Sequence, residues 1–443
     1  MSTPRRKYQY LCTLGTTLAA FVSGSAVGLS SSAEIIFLQE YPDLHEHDMH
    51  YIDAALKIGA AVAEVYFGIS ISYLGSRLTM TAISIPYALG WYLLAIGKTK
   101  EKLCLGRFVL GFCLGATCVA APMYIGEISD KDIRGMLCEL FSLSMTFGIL
   151  VIYCLGEFEN MTLLTLPFSF FPLVMFVVML FLPDSPVDLY KCGKIDEARN
   201  ALIIFRGKDY DIESEMEEIK QYTTTGKDTF WKNLYRYSSI KATVMLIVMH
   251  CIQQLSGIYI IIMHAFRLCK MTNVFEKPNH GAIILGVVQL IFSSISTGVV
   301  DRIGRRPLWI ISLAAMACGH IIIAQHFQTN VDDTRSLQPL IALIILVAAF
   351  CLGVGPLPFV MIAELLPVEI KGCISSIAMT FNWMLGFIVL ISFQPIVDKK
   401  GESYMFYSYA GVCIVGILFV ALVVIETKHK TLEQIQKELE GIR

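Results

Sequence analysis

The sequence has few charged residues: Asp, Glu, Lys and Arg make up only 16% of its 443 residues, against about a quarter in soluble globular domains. Its formal net charge is −2 at pH 7. A nearly neutral chain lacks the clustered positive charge by which proteins attract nucleic acid. We therefore expect no nucleic-acid partner.

The chain also lacks the residue spacings of metal sites, disulfide frameworks and catalytic pairs. Thirteen cysteines are present, but those such as Cys113, Cys154 and Cys413 lie inside apolar runs, where they serve as small packing residues. The acidic and histidine residues between 43 and 50 fit no tight metal site. We predict no metal, no cofactor and no catalytic residues, so the chain is not expected to be an enzyme.

Long apolar runs dominate what is present. Hydrophobic residues make up 55% of the chain and its mean hydropathy is +0.61. A helix needs about 20 mostly apolar residues to cross a bilayer. Twelve runs qualify: 11–38, 52–73, 78–96, 103–123, 136–156, 161–182, 241–264, 281–300, 307–327, 339–362, 373–396 and 404–425. The first is too long for a cleavable signal peptide and is interpreted as a span.

The even number of spans places both termini on one side of the membrane. Arg5, Arg6 and Lys7 indicate that this side is the cytosol. Bases then predicted at the inner side include Arg77, Arg107, Lys131, Arg134, Arg302, Arg305, Arg306 and Lys371. The predicted units are an N-terminal six-helix bundle at 1–182, a cytosolic helical linker at 183–240, a C-terminal six-helix bundle at 241–426 and a cytosolic tail at 427–443. A solvated linker without helices is the alternative for 183–240.

A repeated charge pattern indicates two like halves. Glu127 is followed seven residues later by Arg134, and Glu364 is followed seven residues later by Lys371. These copies lie 237 positions apart, and a second pair, around Gly75 and Gly304, lies 229 apart. Such duplication is typical of secondary transporters, in which two halves enclose one substrate path.

Short motifs at the span ends resemble those of the sugar porter family of the major facilitator superfamily. They are Gly106-Arg107-Phe108, 122–127, Pro183-Asp184-Ser185-Pro186, 253–257, 301–306, Gly355-Pro356-Leu357-Pro358, Asn382-Trp383 and Glu426-Thr427-Lys428. They follow the family's order over nearly the whole chain. The sequences of residues 381–383 and 430–433 most resemble those of the insect facilitated trehalose transporters and the animal facilitative hexose transporters.

The resemblance implies an all-α membrane protein of twelve transmembrane helices in two six-helix bundles. It further implies a multi-pass protein of the plasma membrane, with the lipid bilayer and a small sugar as its partners. The expected activity is facilitative movement of a hexose or a trehalose-like disaccharide by alternating access, for which a monomer suffices.

The expected sugar contacts are polar and aromatic residues of the second half. Amides within an apolar span face a cavity or a partner helix, and they suit neutral hydroxyls. An aromatic face can stack on a pyranose. The predicted set is Gln253, Gln254, Tyr259, Gln289, Phe359, Asn382 and Trp383. Hydrogen bonding between helices is the alternative for the two glutamines, and the Ser256-Gly257 pair predicts a helix break beside them.

Charges at the cytosolic ends are the expected inner gate. They are Arg77, Glu127, Arg134, Asp301, Arg305, Arg306, Glu364, Lys371 and Glu426. Glu127 with Arg134 and Glu364 with Lys371 are the expected pairs. Retention of bases inside by topology alone is the alternative.

The chain departs from the family pattern mainly in the substrate site. Ser142, Tyr259, Gln289 and Phe359 stand where the family has Gln, Asn, Asn and Trp. A transporter of another small organic solute and a non-transporting sugar sensor therefore remain alternatives. Ser76 also stands in place of a gate arginine of the first half.

Two ionisable residues of the second span lie outside the family pattern. Lys57 is near the outer end, and we expect its side chain to extend to the aqueous surface. Glu64 is deeper and is a candidate functional acid; a structural hydrogen bond or a pair with Lys57 is the alternative. Ala26 stands where proton-linked sugar porters have an acid, so we expect no proton coupling.

Overall fold

The computed structural model describes residues 6–41, 45–130, 132–158, 160–207, 210–224, 227–271, 274–275, 277, 279–329, 337–428, 430 and 432–440. In that part of the chain all regular structure is helical. This follows from the apolar runs, because a helix satisfies its own backbone hydrogen bonds where no water is present.

The first half contains six spans. They are α1 (Lys7–Glu40), α2 (Glu46–Leu74), α3 (Ser76–Ile96), α4 (Lys100–Ile128), α5 (Arg134–Leu155), and a sixth span made of α6 (Met161–Thr165), a 3₁₀ turn (Leu166–Ser169) and α7 (Phe170–Phe181). Short helices follow in the predicted linker: α8 (Pro186–Lys191), α9 (Ile195–Arg206), α10 (Ile212–Thr224) and α11 (Lys227–Leu234).

The second half repeats this plan with two broken spans. Its helices are α12 (Tyr237–Leu255), α13 (Ile258–Met263), α14 (Ala265–Met271), α15 (Asn279–Ile303), α16 (Arg305–Gln328), α17 (Leu337–Ala349), a π-helical turn (Phe350–Val354), α18 (Leu357–Leu365), α19 (Val368–Lys400), α20 (Glu402–Leu422) and α21 (Leu432–Leu439). The seventh span is α12 with α13, and the tenth is α17 with α18.

The twelve predicted spans all lie in helices. Among the described residues, eleven helices are long and apolar enough to cross a membrane. The exception is the seventh span, which is divided at Ser256 and Gly257 as the sequence predicts. Gly257 has φ of +75°, which side chains other than glycine rarely adopt.

Small residues allow the spans to pack closely. At Gly111 of α4 an added Cβ would overlap the carbonyl oxygen of Leu56 in α2, and at Gly59 of α2 it would overlap the carbonyl oxygen of Phe108. Small residues at helix interfaces are typical of membrane spans, where close contact replaces the hydrophobic driving force. The first half is therefore built on a tight α2–α4 pair.

The two halves face each other along two helix pairs, α2 with α19 and α5 with α15. We call the end of the bundle near α8–α11 the linker end and the opposite end the far end. The sequence predicts that the linker end is cytosolic.

The structure corrects the predicted position of Arg107. Its side chain is buried within α4, toward the far end, and is not among the bases of the linker end. It donates to a carboxylate oxygen of Asp53 at 2.8 Å, to the carbonyl oxygen of Ala26 at 2.6 Å and to Ser30 Oγ at 2.9 Å. Arg107 is therefore part of a buried ion pair between α2 and α4.

Candidate functional site

Four polar side chains meet between α12 and α19. Gln254 Nε2 donates to Asn382 Oδ1 at 2.6 Å, and Asn382 Nδ2 donates to Gln253 Oε1 at 2.9 Å. His250 Nδ1 lies 3.1 Å from Asn382 Nδ2 and 3.3 Å from Gln253 Oε1. All four side chains are buried. We call His250, Gln253, Gln254 and Asn382 the amide cluster.

Within the amide cluster, the side-chain amide of Gln253 is already engaged in hydrogen bonds to the backbone. Its Nε2 donates to the carbonyl oxygens of Val354 at 3.1 Å and Gly355 at 2.9 Å. These carbonyls lie where the tenth span breaks between its π-helical turn and α18. Because a broken helix leaves carbonyls without a helical partner, Gln253 supplies their donors. The alternative of a structural hydrogen bond therefore describes Gln253 well.

Gln254 and His250 retain unused hydrogen-bonding capacity. Gln254 Oε1 and His250 Nε2 are buried and have no hydrogen-bond partner. A buried polar atom without a partner costs about 1–3 kcal/mol. Atoms of this kind are where a ligand with hydroxyl groups would find an acceptor, so the amide cluster is the strongest candidate for substrate contact in the described residues.

The aromatic residues predicted to contact the sugar lie in two different environments. Trp383 is buried beside Asn382 on α19, and Tyr259 is part-buried on α13. Phe359 on α18 is 47% exposed, and its ring meets the His250 ring edge-on at 5.6 Å between centroids. Phe359 therefore adjoins the amide cluster, whereas Trp383 faces the first half.

Gln289 is buried on α15 and makes no hydrogen bond to the amide cluster. The structure thus brings together Gln253, Gln254, Asn382 and Phe359 but leaves Gln289 apart from them.

The expectation for Lys57 was wrong. Its side chain is fully buried, and Nζ lies 3.7 Å from the centroid of the Tyr259 ring and 4.8 Å from that of Trp383. Glu64, two turns along α2, accepts a long 3.4 Å hydrogen bond from Trp383 Nε1. Of the alternatives for Glu64, the structural hydrogen bond is the one formed; the described residues show no ion pair between it and Lys57.

Polar contacts that join the halves lie toward the far end. Tyr153 Oη donates to the carbonyl oxygen of Ile262 at 2.7 Å, and Ser31 Oγ accepts from the backbone amide of Phe266 at 2.9 Å. Further pairs across the halves are Lys277 with Glu157 at 2.9 Å and the rings of His50 and His264 at 5.4 Å. We call these contacts, with those of Lys57 and Glu64, the far seam.

Charges at the linker end of the first half bind within that half and its adjoining linker. Arg77 makes a bidentate ion pair with Asp184, in which Nε donates to Oδ1 at 2.6 Å and Nη2 donates to Oδ2 at 3.1 Å. Asp188 accepts from the backbone amide of Ser76 at 2.9 Å and so caps α3 after Gly75. Asp188 is not among the residues predicted from the sequence, although its place shortly after the 183–186 motif was a signal for it.

The second half has the matching cap and one more ion pair. Glu426 accepts from the backbone amides of Arg305 at 3.1 Å and Arg306 at 3.0 Å, and so caps α16 after Gly304. The Arg305 guanidinium also binds Glu364 at 2.7 Å, and Thr427 Oγ1 donates to the other Glu364 oxygen at 2.5 Å.

The cap of α16 lowers the pKa of Glu426. Partial burial by itself would raise the pKa of this carboxyl. Backbone amide groups of Lys428, Arg306, Arg305 and Thr427 hydrogen-bond to the carboxylate, and together they bring its pKa below the ordinary value. A helix N-terminus favours negative charge in the same way.

The first half lacks the counterpart of the Arg305–Glu364 pair. Ser76 occupies the position equivalent to Arg305, and Glu127, equivalent to Glu364, is left with one buried oxygen that has no hydrogen-bond partner. The expected pair of Glu127 with Arg134 is not formed; Arg134 instead donates to the carbonyl oxygen of Ser129 at 3.5 Å. The predicted loss of charge in the first half therefore has a structural consequence.

Lys371 and Asp301 are the remaining charges of the second half that were predicted for the inner gate. Glu364 forms its ion pair with Arg305, and Lys371 lies near enough for the charge of that carboxylate to act on it. The side chain of Asp301 lies outside the part of the chain that the structure describes. Each ion pair described at the linker end joins two residues of one half or of its adjoining linker.

Comparison with known proteins gives consistent results. Residues 7–439 match the family model described as "Sugar (and other) transporter". The facilitated trehalose transporter of Bombyx mori is 32% identical over 436 residues, which cover 95% of this chain and 86% of that protein. The facilitated trehalose transporter of Drosophila mojavensis is 29% identical over 98% of this chain, but this chain spans only about half of it, 51%.

Solved structures share the fold. The xylose transporter from E. coli in its inward-open conformation matches with a TM-score of 0.83 at 22% identity, over 97% of this chain and 99% of that chain. A peptide transporter matches with a TM-score of 0.68 at 11% identity, over 92% of this chain and 93% of that one. At these identities the likeness establishes the twelve-span, two-bundle architecture.

Proposed function

Because the chain belongs to the sugar transporter family of the major facilitator superfamily, we propose that it moves a sugar across a membrane by facilitative transport. The observation that carries this proposal is the amide cluster, where Gln254 Oε1 and His250 Nε2 are buried without partners. A sugar hydroxyl can donate to one and, by rotation, accept from or donate to the other. No charge on the solute is needed for such binding.

The described contacts support a specific state of the transport cycle. The far seam joins the two halves by hydrogen bonds and an ion pair, whereas each ion pair described at the linker end joins residues of one half or of its adjoining linker. We propose that the linker end is cytosolic and that this state is closed to the outside. Alternating access then requires the far seam to separate while the linker ends of the halves approach each other.

The proposed moving units are the two bundles predicted from the sequence. We propose that residues 1–182 and 241–426 act as two bundles joined by the helical linker at 183–240, with both termini cytosolic. The Arg305–Glu364 pair lies within the second bundle, and the Arg77–Asp184 pair joins α3 of the first bundle to the beginning of the linker. Both support this division, because neither pair joins one bundle to the other. A single chain contains both bundles, so a monomer suffices.

The substrate class is proposed from the relatives and the site together. Two insect relatives are named facilitated trehalose transporters, and trehalose and hexoses offer many neutral hydroxyls for the amide cluster. We propose a trehalose-like disaccharide or a hexose as substrate, at the plasma membrane. Tyr259 and Phe359, in place of amide and indole side chains, favour a site with fewer hydrogen bonds than in glucose transporters.

Uptake into proteoliposomes tests the proposal. The purified chain is reconstituted, and entry of radiolabelled trehalose, glucose and xylose is measured against empty vesicles and an excess of unlabelled sugar. We expect saturable uptake of at least one sugar that stops at equal concentrations. Saturable binding without entry would instead establish a sensor, and neither binding nor entry of any sugar would refute the proposed substrate class.

A further inference from the structure

Lys57 is a cation buried at the boundary between the two halves. It belongs to α2 of the first half, and the rings that cover it, Tyr259 and Trp383, belong to α13 and α19 of the second. Its Nζ is fully buried and has no hydrogen-bond partner. In place of a water shell, this ammonium lies against the faces of two aromatic rings.

The charge of Asp53 acts on Lys57 from one turn away, but no ion pair joins the two in the described residues. Asp53, one turn away on α2, is bound by Arg107 at 2.8 Å. Glu64, two turns away in the other direction, accepts from Trp383. Neither carboxylate forms an ion pair with Lys57 in the described part of the chain.

The balance of two effects decides the role of Lys57. An ammonium over an aromatic ring is attracted by the ring quadrupole, more strongly when water is absent. Removal of an ion from water costs more than one or two such contacts return, and the difference is largest when no hydrogen bond remains. Lys57 therefore raises the free energy of the state in which the far seam is closed.

We propose that Lys57 destabilises the closed far seam and so drives the transporter back to the state open at the far end. When the seam separates, α2 leaves α13 and α19, and the ammonium regains water. The inference rests on the proposed alternation between two states, but it needs no particular substrate. Its contribution is to the ratio of the two states, because a group shifts an equilibrium only by its differential interaction with them.

The direct test is the change Lys57→Met, which keeps an unbranched side chain of similar length and removes the charge. We expect the ratio of closed to open far seam to rise by about 5- to 150-fold, the range of typical coupling between states. Lys57→Arg keeps the charge and should leave the ratio close to that of the parent protein.

Two reporter cysteines follow the states in the full chain after replacement of its native cysteines. Ile262→Cys reports the far seam, where Ile262 is buried on α13. Gly372→Cys reports the linker end, where an added Cβ meets nothing within 4 Å. A membrane-impermeant maleimide is applied from the side of each reporter. With Lys57→Met we expect slower modification at Ile262→Cys and equal or faster modification at Gly372→Cys.

Lys100→Met is the matched control. Lys100 also lies near the far end, pairs with Asp48 at 2.6 Å and stands over the Tyr51 ring at 4.6 Å, but all three residues belong to the first half. We expect this change to leave both modification rates close to the parent values. Equal or faster modification of Ile262→Cys in the Lys57→Met protein would overturn the proposal.

The test remains informative if a variant is unstable. A thermal unfolding scan of each detergent-solubilised variant reports folding, and Lys57→Leu serves as a second uncharged variant. If both uncharged variants unfold more readily than the parent, the buried charge stabilises this state and the proposal is wrong. Because the rates of maleimide modification are measured without sugar, a negative result for Lys57 is distinguishable from failure of the proposed transport function.

Discussion

The two adjacent glutamines of the seventh span should respond differently to the same substitution. Gln254→Met removes the buried Oε1 that we propose for sugar, together with one hydrogen bond to Asn382. Gln253→Met removes two bonds to the carbonyls of Val354 and Gly355 and one from Asn382. Methionine fills a similar volume in both cases, so the comparison isolates the hydrogen bonds.

The magnitudes follow from the number of bonds. One neutral hydrogen bond is worth about 0.5–1.5 kcal/mol, so Gln254→Met should weaken sugar binding about twofold to twelvefold. Three lost bonds at Gln253 amount to about 1.5–4.5 kcal/mol. We expect that loss to appear mainly as lower thermal stability, because the freed carbonyls belong to the broken tenth span and not to the proposed sugar site.

Two measurements separate these outcomes. The Michaelis constant for trehalose or hexose entry is measured in proteoliposomes, and the unfolding temperature is measured in detergent. We expect a raised Michaelis constant with the smaller loss of stability for Gln254→Met, and the larger fall in unfolding temperature for Gln253→Met. If Gln253→Met is stable but binds sugar poorly while Gln254→Met transports normally, the assignment of the two roles is refuted.

Three further results are expected. Transport should be unaffected by a proton ionophore, because Ala26 stands where a coupling acid would be required; loss of uptake on collapse of the pH gradient would show coupling through another acid. Arg305→Gln should lower the unfolding temperature more than Arg77→Gln, because the carboxylate partner of Arg305 is 25% exposed and that of Arg77 is 41% exposed. Exposed ion pairs contribute only about 0–1 kcal/mol, and an equal or reversed order of the two unfolding temperatures would contradict this. Arg107→Leu should cost about 3–5 kcal/mol because it leaves Asp53 buried without its cation, and the double change of Arg107 and Asp53 to Leu should restore most of that stability in the same unfolding assay.

The sequence was sufficient for the spans, because span length and apolar composition are local properties. It also located the break at Gly257, since a glycine beside a serine in a span is a local signal. What it could not provide was the burial of Lys57 and Arg107: both lie within a few residues of the outer ends of predicted spans, where snorkelling and burial look alike in sequence. The inner-side assignment of Arg107 was a separate error, because residue 103 begins the fourth span at its outer end in the predicted topology. The true environments of both side chains depend on residues far along the chain, Tyr259 and Asp53.

The amide cluster shows a similar limit at the site. The glutamine pair predicts that at least one amide faces the substrate path, but the pattern alone does not say which. The answer depends on the tenth span, whose π-helical turn places two carbonyls against Gln253. Conversely, the absence of an arginine at Ser76 was visible in the sequence, and the unpartnered oxygen of Glu127 is its physical result.

The broken seventh span also bears on how the protein is made. A segment interrupted at Ser256 and Gly257, and carrying two glutamines and a histidine, is a weaker signal for membrane insertion than its neighbours. The groups that satisfy Gln253 and Gln254, the carbonyls of Val354 and Gly355 and the side chain of Asn382, are synthesised about 100 and 130 residues later. The C-terminal half therefore completes the amide cluster only after most of its chain has left the ribosome, and a ribosome stalled before residue 382 holds a seventh span that is not yet anchored.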